Sequence, residues 1–75
     1  MPENLIISDP DIMMGKPVIR GTRITVELVL EKIAHGVSVE SILDEYPHLS
    51  REMVLAAVDY AVKVLKSDVV YSNTI

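Results

Sequence analysis

The sequence contains no cysteine, no tryptophan and no phenylalanine among its 75 residues. Without cysteine, neither a disulfide framework nor a cysteine-ligated metal can form. Since no signal-peptide pattern is visible either, we expect a cytoplasmic protein. No apolar run approaches the roughly 20 residues that a membrane-spanning helix needs, so we expect no membrane partner. A chain of this length predicts a single small domain over residues 1–75.

Positive charge is also scarce. Seven lysines and arginines stand against eleven aspartates and glutamates, which gives a net charge of −4. Strong non-specific binding to nucleic acid depends on neutralising phosphates, so this balance argues against it. A local basic patch remains compatible with the sequence, because residues 12–26 contain Lys16, Arg20 and Arg23 and no acidic residue.

Three helical patterns follow one another in residues 24–66, with very short breaks between them. Gly36 is suited to the left-handed conformation past a helix end, and Pro47 disfavours helical geometry in the residue before it. Apolar residues at helical spacing predict three helices, from about Thr25 to His35, from about Val39 to Tyr46, and from Ser50 to about Lys66.

Each predicted helix begins with the same local chemistry. The hydroxyl groups of Thr25, Ser38 and Ser50 can each accept a hydrogen bond from a backbone N–H in the first turn. An apolar residue precedes each of these caps, and another lies four residues after it, which is the hydrophobic-staple pattern. A short second helix, a tight turn and a longer third helix together predict a helix-turn-helix.

The third predicted helix is apolar nearly all round, apart from a narrow polar stripe of Glu52, Asp59, Lys63 and Lys66. A helix of this kind has to be buried nearly all round, and two short helices cannot cover it. We therefore predict a homodimer with two-fold symmetry, with the third helix and the N-terminal arm in its interface. On the same reasoning, a charge introduced at Val58 would be buried and would unfold the protein.

Two short apolar segments, residues 4–8 and 17–20, predict strands before the first helix. The turn chemistry of SDPDIMMGKP lies between them, so the strands can pair as a hairpin. A hairpin alone is marginal in water, and it needs support either from its own helices or from a second protomer. The sequence thus predicts a mainly α fold: an N-terminal β arm or hairpin (1–23), a three-helix homeodomain-like bundle (24–66) and a frayed tail (67–75).

The stretch GKPVIRGTRITV at residues 15–26, preceded by DPDIMM and followed by HGVSVESILDEYPHLS, resembles the family known as domain of unknown function 433. The resemblance extends from about Ile7 to Ala61. It implies a small homeodomain-like fold with an N-terminal β arm, and a dimer. It also implies, as for many members, the antitoxin half of a VapB-type toxin–antitoxin pair beside a PIN-like ribonuclease toxin.

Three candidate binding residues lie in the basic segment. A guanidinium group can bind a phosphate or a carboxylate through two hydrogen bonds. Arg20 and Arg23 are therefore predicted to bind a protein partner, and with Lys16 they are predicted contacts to a DNA backbone. The alternative is that these cations are solvated side chains that discourage edge-to-edge strand pairing.

Two further candidates lie at the start of the presumed recognition helix. Arg51 can reach a base edge or a phosphate, and Ser50 can both cap the helix and contact a phosphate. The helix offers no asparagine or glutamine, however, and Glu52 and Asp59 would repel a DNA backbone. The alternative is a helix whose role is core and dimer packing.

No set of residues predicts catalysis or metal binding. The two histidines lack a second ligand at suitable spacing on a shared helical face. Asp9 and Asp11 supply fewer oxygens than a hard cation requires, so we interpret them as turn residues that bond the backbone. Met13 and Met14 are interpreted as gap-filling core or arm residues. We expect no enzymatic activity and no cofactor.

Three functions are compatible with these features. The leading hypothesis is an antitoxin-like protein that masks a PIN-like ribonuclease and regulates its own operon through operator DNA. The alternatives are a helix-turn-helix regulator without a toxin and a structural dimerisation module. A PIN-like nuclease holds a divalent metal with clustered carboxylates, and an arginine is a natural plug for such a cluster. Arg23 is the better candidate plug because it lies in the irregular segment, whereas Arg20 can pair across the hairpin.

Overall fold

An N-terminal hairpin leads into three α-helices in the computed structural model, which describes residues 4–68. The predicted mainly α fold with an N-terminal hairpin is confirmed. The predicted tail beyond residue 68 lies outside the described residues, while residues 67 and 68 belong to the last helix and not to the tail. The elements in chain order are β1 (Ile6–Ile7), β2 (Val18–Ile19), α1 (Val26–Ala34), α2 (Val39–Glu45) and α3 (Arg51–Asp68).

The two strands of the hairpin are antiparallel and span two residues each, which is shorter than predicted. Ile6 lies opposite Ile19, and Ile7 lies opposite Val18. On its other edge, β2 is hydrogen-bonded to the segment that follows it. The Ile19 N–H donates to the Ile24 carbonyl at 2.9 Å. The backbone therefore turns back after β2, and this return limits the length of the strand.

The hairpin packs against the helices of its own protomer. The side chains of Val18 and Ile19 have 0% of their surface exposed, and β1 lies against α3. Of the two sources of support that the sequence left open, the chain's own helices therefore supply it. The apolar side chains of β2 are already covered without a second protomer.

The predicted caps are present at all three helix starts. The hydroxyl oxygens of Thr25, Ser38 and Ser50 accept hydrogen bonds from the third residue after each, at 3.0, 3.1 and 3.2 Å. These bonds satisfy backbone N–H groups that the first helical turn leaves without a partner. The staple residues all belong to the core or pack against it, in the pairs Ile24 and Val29, Val37 and Ile42, and Leu49 and Val54.

The end of α1 is defined by Gly36, which has a φ of +88°. Its N–H donates to the Ile33 carbonyl at 2.9 Å, and the Val37 N–H donates to the Lys32 carbonyl at 3.0 Å. These two bonds form a Schellman motif, which satisfies carbonyl groups at the helix end. Glycine adopts this left-handed conformation without steric cost.

One apolar core joins the hairpin and the three helices. The N-terminal half of α3 contributes to it, whereas residues 62–67 are all exposed. The C-terminal half of α3 thus extends beyond the surface that the short helices can cover. The buried residues of the core cluster are Ile19, Ile24, Val26, Val29, Ile42, Leu49, Val54 and Ala57.

The structure agrees with the sequence-based prediction that the two short helices cannot cover all of α3. Leu55, Val62 and Leu65 have 46%, 42% and 62% of their surface exposed. Val58, in contrast, is partly buried within the protomer, so its burial in a dimer and the effect of a charge there stay predictions. Among residues 4–68, no helix is long and apolar enough to cross a membrane.

Candidate binding surface

Arg20 and Arg23 lie on either side of a sharp backbone turn at Gly21 and Thr22, and we call these four residues the arginine corner. Gly21 has a φ of +81°, a conformation that glycine adopts readily. The Thr22 hydroxyl donates to the Ile19 carbonyl at 2.7 Å and accepts from the Ile24 N–H at 2.9 Å. These bonds join the residues on both sides of the corner, so the two arginines leave the fold from fixed backbone positions.

Arg20 and Arg23 differ from most other basic residues in having no carboxylate partner among the described residues. Both side chains belong to exposed residues, and neither takes part in an ion pair within residues 4–68. Their guanidinium groups can therefore bind another molecule without first breaking an ion pair within residues 4–68. The four ion pairs are Lys16–Glu27 at 3.1 Å, Lys32–Glu45 at 2.9 Å, Arg51–Glu40 at 2.8 Å and Lys63–Asp59 at 3.0 Å.

Arg23 lines two shallow grooves of the surface. One has a volume of about 320 Å³ and is also lined by Ile12 and Thr22. The other has a volume of about 380 Å³ and lies against the start of α1, with Met13 and Lys16 on its rim. The structure thus brings two of the predicted binding residues, Lys16 and Arg23, to one groove.

The loop beside this groove exposes an apolar side chain. Met14 has 90% of its surface exposed, so of the two predicted roles it is an arm residue and does not fill a gap in the core. Met13, Met14 and Gly15 have φ values of +49°, +58° and +83°. For the two methionines a left-handed backbone costs about 1–2 kcal/mol each. The loop therefore holds Met14 outward in a conformation that its own preferences disfavour.

Lys16 has a structural partner. Its ammonium group bonds Glu27 Oε1 at 3.1 Å and ties the loop to the first turn of α1. More than half of each side chain is exposed, at 53% and 61%. Exposed pairs of this kind contribute little to stability, so Lys16 can exchange its partner for another anion at small cost.

Ser50 and Arg51 are engaged at the start of α3. Ser50 accepts the cap hydrogen bond, and Arg51 Nη1 lies 2.8 Å from Glu40 Oε2 on α2. The hydrogen bond from Arg51 lowers the pKa of the Glu40 carboxyl below its usual value, and a backbone hydrogen bond adds to this effect. Of the predicted DNA contacts, Ser50 therefore caps α3, and Arg51 links α3 to α2.

A third groove, which is apolar, lies between the loop, α1 and α3. It has a volume of about 340 Å³. Its floor and walls come from Pro17, from Val26 and Leu30 of α1, and from Tyr60 and Val64 of α3. Because the exposed part of α3 begins here, the groove continues into the uncovered apolar surface of that helix.

No metal site is found in the part of the chain that the structure describes. Residues 4–68 contain no group of three or more histidine, aspartate or glutamate side chains that could hold an ion. Asp9 acts as predicted for a turn residue, because its Oδ1 accepts a hydrogen bond from the Asp11 N–H at 2.9 Å.

All five candidate residues lie in the region that a protein-family model matches. A family model described as Protein of unknown function (DUF433) matches residues 6–61. The chain is 44% identical over 57 residues to the "Uncharacterized protein y4eO" of Sinorhizobium fredii (strain NBRC 101917 / NGR234). That match covers 76% of this chain and 26% of the relative, so the chain spans about a quarter of the relative's length. No solved structure matches the chain.

Proposed function

The chain belongs to the family described as Protein of unknown function (DUF433), and we propose that within this family it is an antitoxin-like binding protein that masks a PIN-like ribonuclease. The proposal assigns it no catalytic role. The observation that carries it is the position of Arg20 and Arg23. Both are exposed, flank a rigid corner, and are in no ion pair among residues 4–68.

The chemistry of the partner explains why two such arginines suit this role. A PIN-like nuclease gathers carboxylates in a cleft to hold a divalent metal. When the metal is absent these carboxylates repel one another, and a nearby positive charge relieves the repulsion. Arginine remains charged at every physiological pH and can bind a carboxylate through two hydrogen bonds.

The rigidity of the corner supports tight binding. Side chains and loops that become ordered on association lower the affinity, and a preformed backbone avoids part of this loss. The bonds of Thr22 to Ile19 and Ile24 fix the backbone between the two arginines before any partner binds. The exposed Met14 and the rim residue Met13 add apolar contact area beside the charges.

The proposal includes a homodimer. It is supported by the apolar side chains that the C-terminal half of α3 leaves exposed, of which Leu65 is the most accessible. An uncovered apolar surface of this kind is typical of a protein-protein interface. A two-fold dimer would carry two copies of the arginine corner and could hold two nuclease molecules.

Operator DNA remains a prediction from the sequence, and we do not include it in the proposal. The Ser50 hydroxyl is used as a helix cap, and the Arg51 guanidinium bonds Glu40. Both residues would have to give up or share these bonds to read DNA. The described residues offer no observation that favours DNA over a protein partner.

The proposal predicts that a PIN-like nuclease is encoded beside the gene, and the test is inhibition of that nuclease, measured as RNA cleavage with increasing amounts of this protein. Arg20→Ala, Arg23→Ala and the double variant are compared with the wild type. Lys63→Ala is the matched control, since it removes one exposed positive charge from α3. We expect the double variant to lose about 2–5 kcal/mol of binding free energy, mostly through faster dissociation.

Of the single variants, we expect Arg23→Ala to lose more inhibition than Arg20→Ala, because Arg23 borders both loop grooves. Inhibition by the double variant equal to that of the wild type would exclude the arginine plug. Failure of the wild type to bind any such nuclease would exclude the antitoxin-like function itself.

A further inference from the structure

The exposed surface of α3 contains a regular apolar stripe, which we call the α3 seam and which consists of Leu55, Val58, Val62 and Leu65. Successive members are three, four and three residues apart. This spacing keeps side chains on one face of a helix and is the repeat that coiled coils use. Leu55, Val62 and Leu65 are 46%, 42% and 62% exposed, and Val58 is partly buried.

The α3 seam is separate from the face that α3 buries in its own protomer. Val54 and Ala57 belong to that buried face and have no exposed surface. At 100° per residue, the seam lies between this face and the polar stripe that contains Glu52 and Lys66. Residues 4–68 therefore leave one complete apolar edge of the helix without a partner among themselves.

We infer that the α3 seam pairs with the same seam of a second copy in an antiparallel arrangement, with the two-fold axis passing between Val58 and Val62. This inference deepens the homodimer in the proposed function and rests on it. The seam reads the same in both directions, with leucine at each end and valine between. Antiparallel pairing places Leu55 opposite the second copy's Leu65, and Val58 opposite the second copy's Val62.

The charges beside the α3 seam favour the antiparallel direction. This pairing brings Glu52 of each helix next to Lys66 of the other, so two opposite-charge pairs form by symmetry. Parallel pairing would instead set the polar flank against Val54 and Ala61 of the other helix, without an opposite charge. Asp59 lies near the axis, and the Lys63 ammonium group at 3.0 Å already neutralises it within each protomer.

Cross-linking tests the register directly, because the chain has no cysteine of its own. Leu55→Cys and Leu65→Cys are prepared as separate proteins and oxidised alone and after mixing. Residues 55 and 65 are about 15 Å apart along one helix, too far for a disulfide between equivalent residues of an antiparallel pair. We expect a cross-linked dimer from the mixture and none from either variant alone.

A charge exchange tests the same pairing without cysteine. Glu52→Lys and Lys66→Glu should each weaken dimerisation by roughly 2- to 30-fold, since each disrupts two exposed ion pairs. The double variant should restore the dissociation constant of the wild type, because the pairs reform with reversed signs. Asp44→Lys, at an exposed position on α2, is the control for charge alone and should dimerise like the wild type.

Three results would overturn the inference. They are a wild type that is monomeric at micromolar concentration, a cross-link formed by Leu55→Cys alone, and no recovery in the double charge variant. Nuclease inhibition separates this failure from that of the proposed function. If the variants at residues 52, 55, 65 and 66 inhibit the nuclease normally but do not pair as stated, only the inferred register of the dimer is wrong. A loss of inhibition in the Arg20→Ala and Arg23→Ala double variant concerns the arginine corner and does not depend on the α3 seam.

Discussion

At the scale of single residues, the basic side chains fall into two groups that the sequence alone does not separate. The absence of acidic residues from positions 12–26 identifies Lys16, Arg20 and Arg23 as a cluster. Only the fold shows that Lys16 bonds Glu27, which lies eleven positions further along the chain. No local pattern predicts a contact at that separation, so the availability of Arg20 and Arg23 became visible only with the structure.

Gly36 provides a residue-scale test of the helix ends. Its φ of +88° is unfavourable for any L side chain, and a Cβ there would meet no atom within 4 Å. Gly36→Ala should therefore lower the free energy of unfolding by about 1–2 kcal/mol through conformation alone. Gly36→Asn should lose less, because asparagine tolerates this region better. Urea denaturation measures both, and an alanine variant as stable as the wild type would contradict the role of Gly36.

Glu40 provides a test through pH. The hydrogen bond from Arg51 lowers the pKa of Glu40 in the folded protein. Its stabilising effect is therefore present above the pKa of the unfolded chain and is lost as pH falls through the lower pKa of the folded protein. Glu40→Gln should be less stable than the wild type at neutral pH, and the difference should vanish in acid.

Thermal unfolding across a series of pH values measures this difference. Asp44→Asn is the control, since Asp44 is an exposed carboxylate on the same helix and lies outside the four ion pairs of residues 4–68. A stability difference between Glu40→Gln and the wild type that is the same at every pH would exclude the proposed linkage.

At the scale of elements, the helices follow from the sequence better than the strands do. Ser38 and Gly36 define helix boundaries through bonds to near neighbours, so local chemistry predicts them. β2, in contrast, is limited by the return of the chain at Ile24, which is a tertiary feature. The left-handed backbone of Met13 and Met14 is also not predictable, because local rules assign that conformation to glycine.

Two substitutions on α3 distinguish its buried face from the α3 seam. Val54 has 0% exposure and belongs to the core, so Val54→Asp should unfold the protein by burying an unpaired charge. Val58 is only partly buried, so Val58→Asp should keep its helical circular dichroism and become monomeric in light scattering. If Val58→Asp unfolds as Val54→Asp does, the α3 seam is part of the core and the sequence-based expectation was right.

At the scale of the whole molecule, the part of the chain that the structure describes presents two surfaces that the core of these residues leaves uncovered. The corner with Arg20 and Arg23 offers positive charge on an otherwise acidic protein, and the α3 seam offers apolar area. Composition predicts that α3 cannot be covered by two short helices. It does not predict which part remains exposed, because that depends on how far α3 extends past them.

The central claim is that Arg20 and Arg23 occupy the carboxylates with which a nuclease holds its metal. It is tested most directly by the Kd of the complex with the PIN-like nuclease that the proposal predicts as partner, measured as magnesium is raised at constant ionic strength. For the wild type, Kd should rise with magnesium because metal and guanidinium compete for the same carboxylates. For the Arg20→Ala and Arg23→Ala double variant, Kd should be higher and independent of magnesium. A wild-type Kd that does not change with magnesium would contradict the claim.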